Sequence, residues 1–317
     1  MSILVVGSVA YDTVETPFGR AERVLGGSAS FFAVAASFFV PVNLVAVVGQ
    51  DFGEKDMAAF RGRGIDLEGL EKTAGETFHW SGKYSYDLNA RETVCTELNV
   101  FEFFKPRIPV RYGRSEHVFL GNIDPVLQRE VLDQVHEPKL VACDTMNFWI
   151  SGKPAELKET LCRVDVLLIN DAEARELSGE WNMVRAARKI RAMGPSVLVV
   201  KKGEHGVLMF GDEGSFAAPA YPLEEVFDPT GAGDTFAGGF VGYLAAAQAN
   251  GESGWRATDS LRRRANDGAL RRAVIMGSTL ASFCVEAFSL DRLLRLTRAE
   301  IDDRFRLFKR LTHFEAI

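Results

Sequence analysis

The chain has 317 residues, of which 47% are apolar and 25% are charged, and its formal net charge is −6. This length and composition are typical of a globular protein built from one large domain, or from one domain with a small addition. The acidic balance argues against a nucleic acid as the main partner, because proteins that bind polyanions usually present a basic surface.

Short apolar runs alternate along the chain with segments of helical periodicity. Strands are predicted at residues 3–6, 44–48, 118–120, 140–143, 166–169 and 197–200. Helices are predicted at residues 28–39, 126–135, 155–162, 171–177 and 184–193, with a further helix from residue 235 towards 247. Nearly continuous apolar strands indicate a mostly parallel sheet with helices on both faces. In such a sheet, ligands bind at the carboxyl ends of the strands.

The first predicted strand begins almost at the amino terminus. It leaves no charged segment and no cleavage site for secretion, so we expect a cytoplasmic protein. The longest apolar stretch, residues 29–48, is interrupted by Ser37, Pro41 and Asn43, which favours a helix followed by a strand over a membrane span. The four cysteines form no Cys-x-x-Cys pair, so neither a zinc site nor a disulfide framework is expected.

Residues 77–100 interrupt the alternation of helices and strands. Aromatic residues at positions 78, 80, 84 and 86 alternate with polar ones, residues 87–90 form a turn, and residues 91–100 run back. This pattern predicts a β-hairpin with one aromatic face. Two interpretations of that face stay open: it seals a lid or a dimer contact, or it stacks on a substrate ring.

The most informative motif is Asp-Pro-Thr-Gly-Ala-Gly-Asp-Thr-Phe-Ala-Gly-Gly-Phe at residues 228–240. It delivers unpaired backbone N–H groups to the start of a helix, and such a terminus binds a phosphate or a developing oxyanion. Asp234 would repel that ligand unless it has a proton to take, and a hydroxyl undergoing phosphorylation supplies one. Phe236 replaces the third glycine of a dinucleotide-binding loop, and no Gly-x-x-x-x-Gly-Lys-Ser/Thr phosphate loop occurs in the chain.

This motif and its following helix resemble the carboxyl-terminal signature of the ribokinase-like, or PfkB, family of small-molecule kinases. Further motifs follow in the family's order along nearly the whole chain: Gly7 with Asp12, Gly26-Gly27, and residues 48–53, 170–173 and 202–206. The resemblance implies a three-layer α/β/α core with a mostly parallel sheet at residues 1–11, 26–74 and 106–317. It also implies a small β-strand lid at residues 12–25 and 75–105, in which a strand from about residue 12 to 24 joins the hairpin.

The resemblance assigns roles to the polar residues at the predicted strand ends. Asp234 is expected to be the catalytic base, and the N–H groups of Gly231, Ala232 and Gly233 are expected to form the anion hole for the transferred phosphoryl group. Asn170 and Glu173 resemble the family's Asn-x-x-Glu element, with Glu173 holding Mg²⁺ largely through water. The remaining residues expected to contact ATP are Lys202, Gly203, Gly206, Asp228 and Thr230.

The acceptor site is expected at Asp12, Gly26, Gly27 and Ser30. The two glycines would let the backbone approach a sugar, and Asp12 would accept hydrogen bonds from two adjacent hydroxyls. Ser30 stands where many relatives carry an asparagine, so the acceptor pattern departs from the family's. Structural alternatives stay open, because Asp12 and the glycines also suit turns and an Asn-x-x-Glu segment also suits a helix cap.

The predicted function is an ATP- and Mg²⁺-dependent kinase that phosphorylates the primary hydroxymethyl group of a ribofuranosyl compound, either a nucleoside or a pentose. Phe31, Trp80 and Phe101 favour a nucleobase slightly. The nearest alternative is a ketohexose or keto-sugar-acid kinase. The alternative from another class is a sugar- or nucleoside-binding sensor that has lost catalysis.

Expectations about other partners are fewer. Residues 281–289 lack the family's usual Gly-Ala step, which puts potassium activation in doubt. A homodimer through the lid is expected as a possible assembly, whereas neither a membrane nor a nucleic acid is expected as a partner. Arginines at positions 256, 262–264, 271 and 272 are interpreted as a solvated surface, with a nucleotide-phosphate contact as the alternative.

Overall fold

A computed structural model gives the structure of residues 1–251, 256–257, 263–264 and 266–313, so Arg262 of the arginine group lies outside the described residues. In chain order, the strands are β1 Ile3–Val6, β2 Ala10–Thr16, β3 Gly19–Gly26, β4 Val42–Val48, β5 Asp66–Lys72, β6 His79–Tyr84, β7 Arg91–Glu97, β8 His117–Leu120, β9 Leu140–Cys143, β10 Val166–Asn170, β11 Val197–Lys201, β12 Val207–Gly211, β13 Gly214–Ala218, β14 Arg256–Ala257 and β15 Arg263–Arg264. The helices are α1 Ser28–Ala36, α2 Glu54–Arg61, α3 Pro125–Asp133, α4 Asn147–Gly152, α5 Pro154–Leu161, α6 Asp171–Ser178, α7 Met183–Arg191, α8 Ala232–Ala249, α9 Asp267–Cys284, α10 Asp291–Arg295 and α11 Arg298–Thr312.

The central sheet has nine strands in the order β13-β12-β11-β10-β9-β8-β1-β4-β5. The strands from β11 to β5 run parallel, whereas β12 and β13 add an antiparallel edge. Alternate residues of β1 enter two separate cores: Ile3 and Val5 face α1, α8 and α9, while Leu4 and Val6 face α3, α5 and α7. The predicted three-layer α/β/α architecture is therefore confirmed, and its two buried faces explain the apolar strands.

The predicted central strands and helices are confirmed with ends shifted by a few residues. Strand β5 was missed because its sequence, Asp-Leu-Glu-Gly-Leu-Glu-Lys, belongs to a half-exposed edge strand and lacks a continuous apolar run. The antiparallel pair β12 and β13 was also missed. Among the described helices, none combines the length and the apolar composition that crossing a lipid bilayer requires.

A second, smaller sheet has four strands in the order β3-β2-β6-β7. The predicted hairpin is confirmed as β6 and β7, which pair antiparallel. The single strand expected from about residue 12 to 24 is wrong, because β2 and β3 form an antiparallel hairpin of their own. The reason lies in Pro17, Phe18 and Gly19, since proline and glycine favour a turn at this point.

Asp51 joins the small sheet to the central one. Its Oδ1 accepts hydrogen bonds from the backbone N–H of Thr77 at 2.8 Å and from the Thr77 hydroxyl at 2.7 Å. Its Oδ2 accepts a hydrogen bond from Arg23 of β3 at 2.8 Å. One carboxylate thus holds both chain segments that build the small sheet.

Helices α1, α8 and α9 pack closely through glycines of α8. A side chain at Gly239 would come within 3.1 Å of the Cα atom of Gly277 on α9, and one at Gly242 would come within 3.1 Å of the Cα atom of Ala36 on α1. The close approach of these backbones fixes where α8 begins relative to α1.

Candidate active site

The glycine-rich turn before α8 has the geometry of an anion-binding site. Gly231 has φ 75° and ψ −1°, a left-handed conformation that favours glycine, and the ring of Phe31 covers the place where a Cβ would stand. The N–H of Thr235 closes the first helical turn on the Gly231 carbonyl at 2.8 Å. Ala232 N–H already donates to the Pro229 carbonyl at 3.3 Å. Among the described residues, no acceptor pairs with the N–H groups of Gly231 and Gly233, which leaves these two of the three expected donors for an anion.

Asp228 fixes this turn from within. Its Oδ1 accepts a hydrogen bond from the Thr230 N–H at 2.8 Å, and its Oδ2 accepts one from the Ser289 N–H at 3.2 Å. Burial raises the pKa of this carboxyl group, while the hydrogen bonds lower it. Both oxygens of Asp228 are engaged inside the protein, so the structure gives this residue an anchoring role beside the expected ATP contact.

Asp234 lies in the first turn of α8 and keeps some accessible surface. Burial, followed by the neighbouring Asp144 charge, raises its pKa to about 7, while Lys201 and Arg91 oppose the shift. A general base works best when its pKa lies near the working pH. Asp234 therefore has the position and the proton affinity of a base beside two free N–H groups.

Lys201, which the sequence did not indicate as part of the site, forms an ion pair with Asp144, which lies at one of the strand ends where ligands were expected. Lys201 ends β11, Asp144 follows β9, and the Nζ to Oδ2 distance is 3.3 Å. The Lys201 side chain is only 17% exposed, and an ideal Cβ on Gly233 would stand 3.0 Å from its Nζ. Burial acts to lower the lysine pKa, but the charges of Asp144, Glu173 and Asp234 outweigh it and raise this pKa. A protonated ammonium group thus lies against the anion-binding turn.

Asn170 and Glu173 form a reciprocal helix cap at the start of α6. Asn170 Oδ1 accepts from the Glu173 N–H, and Glu173 Oε2 accepts from the Asn170 N–H, both at 2.8 Å. Burial and the Asp144 charge raise the Glu173 pKa to about 7. The cap leaves the second carboxylate oxygen of Glu173 free of these bonds, so the structural and the functional interpretation of this element are compatible.

The same region offers few side chains that could bind Mg²⁺ directly. No group of three His, Cys, Asp or Glu side chains in the described part of the chain could hold a metal. One carboxylate with a free oxygen suits a hydrated Mg²⁺ that takes its direct ligands from phosphates and water. The residues present therefore fit the expected contact of Glu173 through water.

Asp12 lies on β2, is 6% exposed, and its carboxylate fills the space above Gly26 where a side chain would stand. Burial raises its pKa to about 7; a hydrogen bond from the Gly27 N–H opposes this, whereas the charges of Asp228 and Asp234 add to it. Gly27 has φ 90°, and a Cβ there would meet the Ser8 carbonyl oxygen at 2.5 Å. The space beside Gly26 and Gly27 is therefore occupied by atoms of the protein itself, whereas a sugar was expected there from the sequence.

Ser30, the remaining residue of the expected acceptor site, lies inside the protein. It is fully buried, and its hydroxyl donates to the Gly26 carbonyl at 2.6 Å. This hydrogen bond joins the first turn of α1 to the end of β3, so Ser30 has a structural contact beside its expected role at the acceptor site.

The loop after β11 carries the remaining expected ATP contacts. Lys202 N–H donates to the Gly206 carbonyl at 2.8 Å, which closes the loop. Gly203 has φ 55° and Gly206 has φ 82°, so both positions favour glycine. Of the arginine group, Arg271 pairs with Asp267 and Arg272 donates to Tyr243, which fits the predicted surface role.

The small sheet faces the same carboxylates. Tyr84 of β6 accepts a hydrogen bond from the Thr230 hydroxyl at 3.2 Å. Arg91 of β7 lies over the ring of Trp80 at 5.6 Å, and its charge opposes the effect of burial on the pKa values of Asp12, Glu173 and Asp234. The sequence offered no signal for Arg91, because its proximity to the carboxylates depends on where the hairpin lies.

Two of the three aromatic residues expected to favour a nucleobase are engaged elsewhere. Phe31 is 1% exposed against Gly231. Phe101 stacks on Phe78 at 5.3 Å and on Phe104 at 5.6 Å. Trp80, which covers Gly82 on the small sheet, is therefore the member of this set that lies beside Arg91.

Comparisons with known proteins agree with this geometry. The family model for pfkB family carbohydrate kinases matches residues 2–294. A cytidine kinase of Thermococcus kodakarensis is 31% identical over 252 residues, covering 76% of this chain and 87% of the relative. A nucleoside kinase of Burkholderia thailandensis in complex with inosine has a TM-score of 0.72 at 20% identity, covering 96% of this chain and 97% of that one. An aminoimidazole riboside kinase of Salmonella enterica, complexed with aminoimidazole riboside and an ATP analog, has a TM-score of 0.68 at 18% identity, covering 97% and 99%.

Proposed function

The chain belongs to the pfkB family of carbohydrate kinases, and we propose that it transfers the γ-phosphoryl group of ATP to the primary hydroxymethyl group of a ribofuranosyl compound. Members of this family are phosphotransferases that act on hydroxyl groups. The observation that supports the proposal best is the position of Asp234, a carboxylate with a pKa raised to about 7, next to the free N–H groups of Gly231 and Gly233. A base beside an anion hole is the arrangement that phosphorylation of an alcohol requires.

In this proposal each residue of the site has a defined task. Asp234 accepts the proton of the acceptor hydroxyl while its oxygen bonds to the γ-phosphorus. The N–H groups of Gly231 and Gly233 donate to the oxygens of the transferring group, where negative charge is spread. The charges of Asp228 and Asp234 help to raise the pKa of Asp12, which places this carboxylate close enough to Asp234 to orient the acceptor hydroxyls.

Mg²⁺, when bound with the nucleotide, would neutralise part of the phosphate charge. Glu173 would hold its hydration shell through the carboxylate oxygen that the helix cap leaves free. The cap uses the side-chain oxygen of Asn170. The two N–H groups on Nδ2 of the same side chain stay available for phosphate oxygens. The loop at Gly203 and Gly206 would border the nucleoside end of ATP.

A ribofuranosyl acceptor is favoured by the relatives. The cytidine kinase and the two riboside-bound structures concern ribose attached to a base or to a related heterocycle. Trp80 and Arg91 of the small sheet provide an aromatic and a cationic surface next to Asp12. We therefore place a nucleoside before a free pentose, and either of them before a ketohexose or a keto-sugar acid.

An ADP-release assay over nucleosides, pentoses, ketohexoses and keto-sugar acids tests the proposal, with Asp234→Asn as the inactive control. The proposal is supported if ADP is released fastest with a riboside or ribose. If ADP is released fastest with a hexose or a sugar acid, the acceptor is a compound of that class and not a ribofuranosyl compound. A compound that binds without any ADP release would favour the sensor.

The small sheet is proposed as a lid and as a dimer surface. Strand β7 is an edge strand whose seven residues are all exposed, including Val94 at 65%, and such edges readily pair with a second copy. Light scattering of the intact chain tests this, since a monomer at micromolar concentration would exclude the dimer. A cytoplasmic setting, in which the four free thiols stay reduced, completes the proposal.

A further inference from the structure

Lys201, the lysine that pairs with Asp144, has no role in the function proposed above. We propose that Lys201 binds the γ-phosphoryl group during transfer and that Asp144 positions its ammonium group before the nucleotide arrives. This inference rests on the proposed function, because it assigns a catalytic residue to the same reaction.

Strand geometry explains why Lys201 reaches the anion-binding turn. Side chains alternate along a strand, and Val197 and Val199 of β11 face the core that contains α8, whereas Leu198 and Val200 face the opposite core. Lys201 continues the first series, so its side chain leaves the sheet on the side of α8. This is the side on which its Nζ lies 3.0 Å from the ideal Cβ position of Gly233.

The ammonium group has donors to spare. An ammonium group carries three N–H bonds, and within the described part of the chain Nζ donates to one acceptor, Asp144 Oδ2 at 3.3 Å. Asp144 is itself fixed, because its Oδ1 accepts from the Thr145 N–H at 2.7 Å. Lys201 is therefore held against the anion hole with donors left for phosphate oxygens.

Two positive charges act on the carboxylates at this position: Arg91 of β7 and Lys201, which is the one that lies against the anion-binding turn. Asp144, Glu173 and Asp234 act on Lys201 by charge, so three carboxylates face one buried ammonium group. A phosphoryl group could enter this acidic site only where positive charge and free N–H groups converge. Gly233 and Lys201 provide that convergence, and the helix start at α8 adds to it.

The acceptor oxygen forms a bond to the γ-phosphorus, and its proton passes to Asp234. The bond between the γ-phosphorus and the bridging oxygen breaks, and its electron pair stays on ADP. Lys201 forms no covalent bond; it donates to the oxygens of the moving group, as an oxyanion-hole donor does.

Lys201→Met is the test variant, and Lys55→Met, an exposed lysine on α2, is its matched control. We expect kcat to fall by about 10²- to 10³-fold, the loss typical of one oxyanion-hole donor, while the acceptor KM stays within about threefold. Lys202→Met gives a direct comparison with the lysine favoured by the sequence. A larger loss of kcat in Lys202→Met than in Lys201→Met would overturn the inference.

A pH profile separates phosphoryl binding from a mere effect on the base. Lys201 lowers the Asp234 pKa, so its removal moves the rising limb of the kcat profile to higher pH. If Lys201 binds the phosphoryl group, kcat stays low on the plateau above that limb. Recovery of wild-type kcat on the plateau would show that Lys201 only adjusts Asp234, which contradicts the proposal.

Calorimetry with ATP and ADP, each with Mg²⁺, provides a reading that needs no acceptor. The wild-type preference for ATP over ADP should shrink in Lys201→Met, because only ATP carries the γ-phosphoryl group. An unchanged preference for ATP over ADP would overturn the inference. This result does not depend on the acceptor assays, which test the proposed function separately. Lys201→Gln serves as a second variant should Lys201→Met melt at a lower temperature than Lys55→Met.

Discussion

Asn89 Nδ2 donates a hydrogen bond to Glu204 Oε1 at 3.0 Å, which connects the tip of the β6–β7 hairpin to the loop after β11. Asn89 Oδ1 also occupies the place where a Cβ on Gly203 would stand. Gly203 belongs to the loop proposed to border ATP, whereas the hairpin carries Trp80 and Arg91 on the acceptor side. The hairpin therefore spans both halves of the proposed cleft.

This contact predicts how the hairpin responds to ligands. Asn89→Ala should speed hydrogen exchange of residues 79–97 in the free protein, because the tip loses its anchor, whereas Tyr86→Ala in the same exposed turn should not. A saturating acceptor should protect residues 77–100 in the wild-type protein, since lid closure excludes water. Exchange that stays the same with and without acceptor would show that the hairpin is only structural.

Asp234→Asn should lower kcat on the order of 10²- to 10⁴-fold, because it removes the base while keeping its shape. Acceptor affinity should stay within a few fold. Steady-state kinetics and acceptor calorimetry measure the two quantities, with Asp303→Asn on the surface of α11 as the control. A kcat close to that of the wild type would refute the role of Asp234.

Activity and stability should depend on pH in opposite directions. The pKa values of Asp12, Glu173 and Asp234 are raised to about 7, so Asp234 becomes an effective base as the pH rises through 7. Unfolded carboxyl groups release their protons near pH 4, so the native state binds more protons between about pH 4 and 7 and loses stability as the pH rises.

Thermal melts at pH 5 and pH 8 check the stability side of this prediction. Asp234→Asn should melt at a higher temperature than the wild type at pH 8, because the amide carries no charge to bury. The difference in melting temperature between the variant and the wild type should be a few °C larger at pH 8 than at pH 5. A difference that is the same at both pH values would contradict the raised pKa of Asp234.

Asp12→Asn should weaken acceptor binding and spare the nucleotide. Loss of charged hydrogen bonds costs about 1.5–3 kcal/mol, which corresponds to a fall of roughly 10- to 100-fold in affinity. Asparagine keeps the volume that fills the space above Gly26, so the fold should persist. Separate titrations with acceptor and with ATP decide the matter, and a parallel fall in both affinities would assign Asp12 a structural role.

Asp51→Ala should destabilise the protein, because the buried Thr77 loses the acceptor of its N–H and hydroxyl groups. A buried donor without a partner costs about 1–3 kcal/mol. Urea denaturation measures the free energy of unfolding, with the exposed Glu71→Ala as the comparison. Equal stability of the two variants would mean that Asp51 does not hold the small sheet.

Local patterns explain which features could be predicted from the sequence. The apolar runs of the parallel strands and the turn at Gly231 depend on neighbouring residues, so they were predicted within a few positions. Lys201 was not selected, because only the alternation of β11 and its proximity to α8 distinguish it from Lys202. The burial of Ser30 could not be predicted for a related reason: the sequence shows its position shortly after Gly27, but packing of α1 determines how much of it is exposed.

The glycine contacts between α1, α8 and α9 have a consequence for redesign. They lock the start of α8, with its base and its anion hole, into a block of three helices whose backbones leave no room for side chains at Gly239 or Gly242. The small sheet, by contrast, is made from two short chain segments that Asp51, which follows β4, ties to the central sheet. A library of altered acceptor preferences can therefore be confined to β6 and β7, provided that Tyr84 and Arg91 are kept, because they act on Thr230 and on the Asp234 pKa.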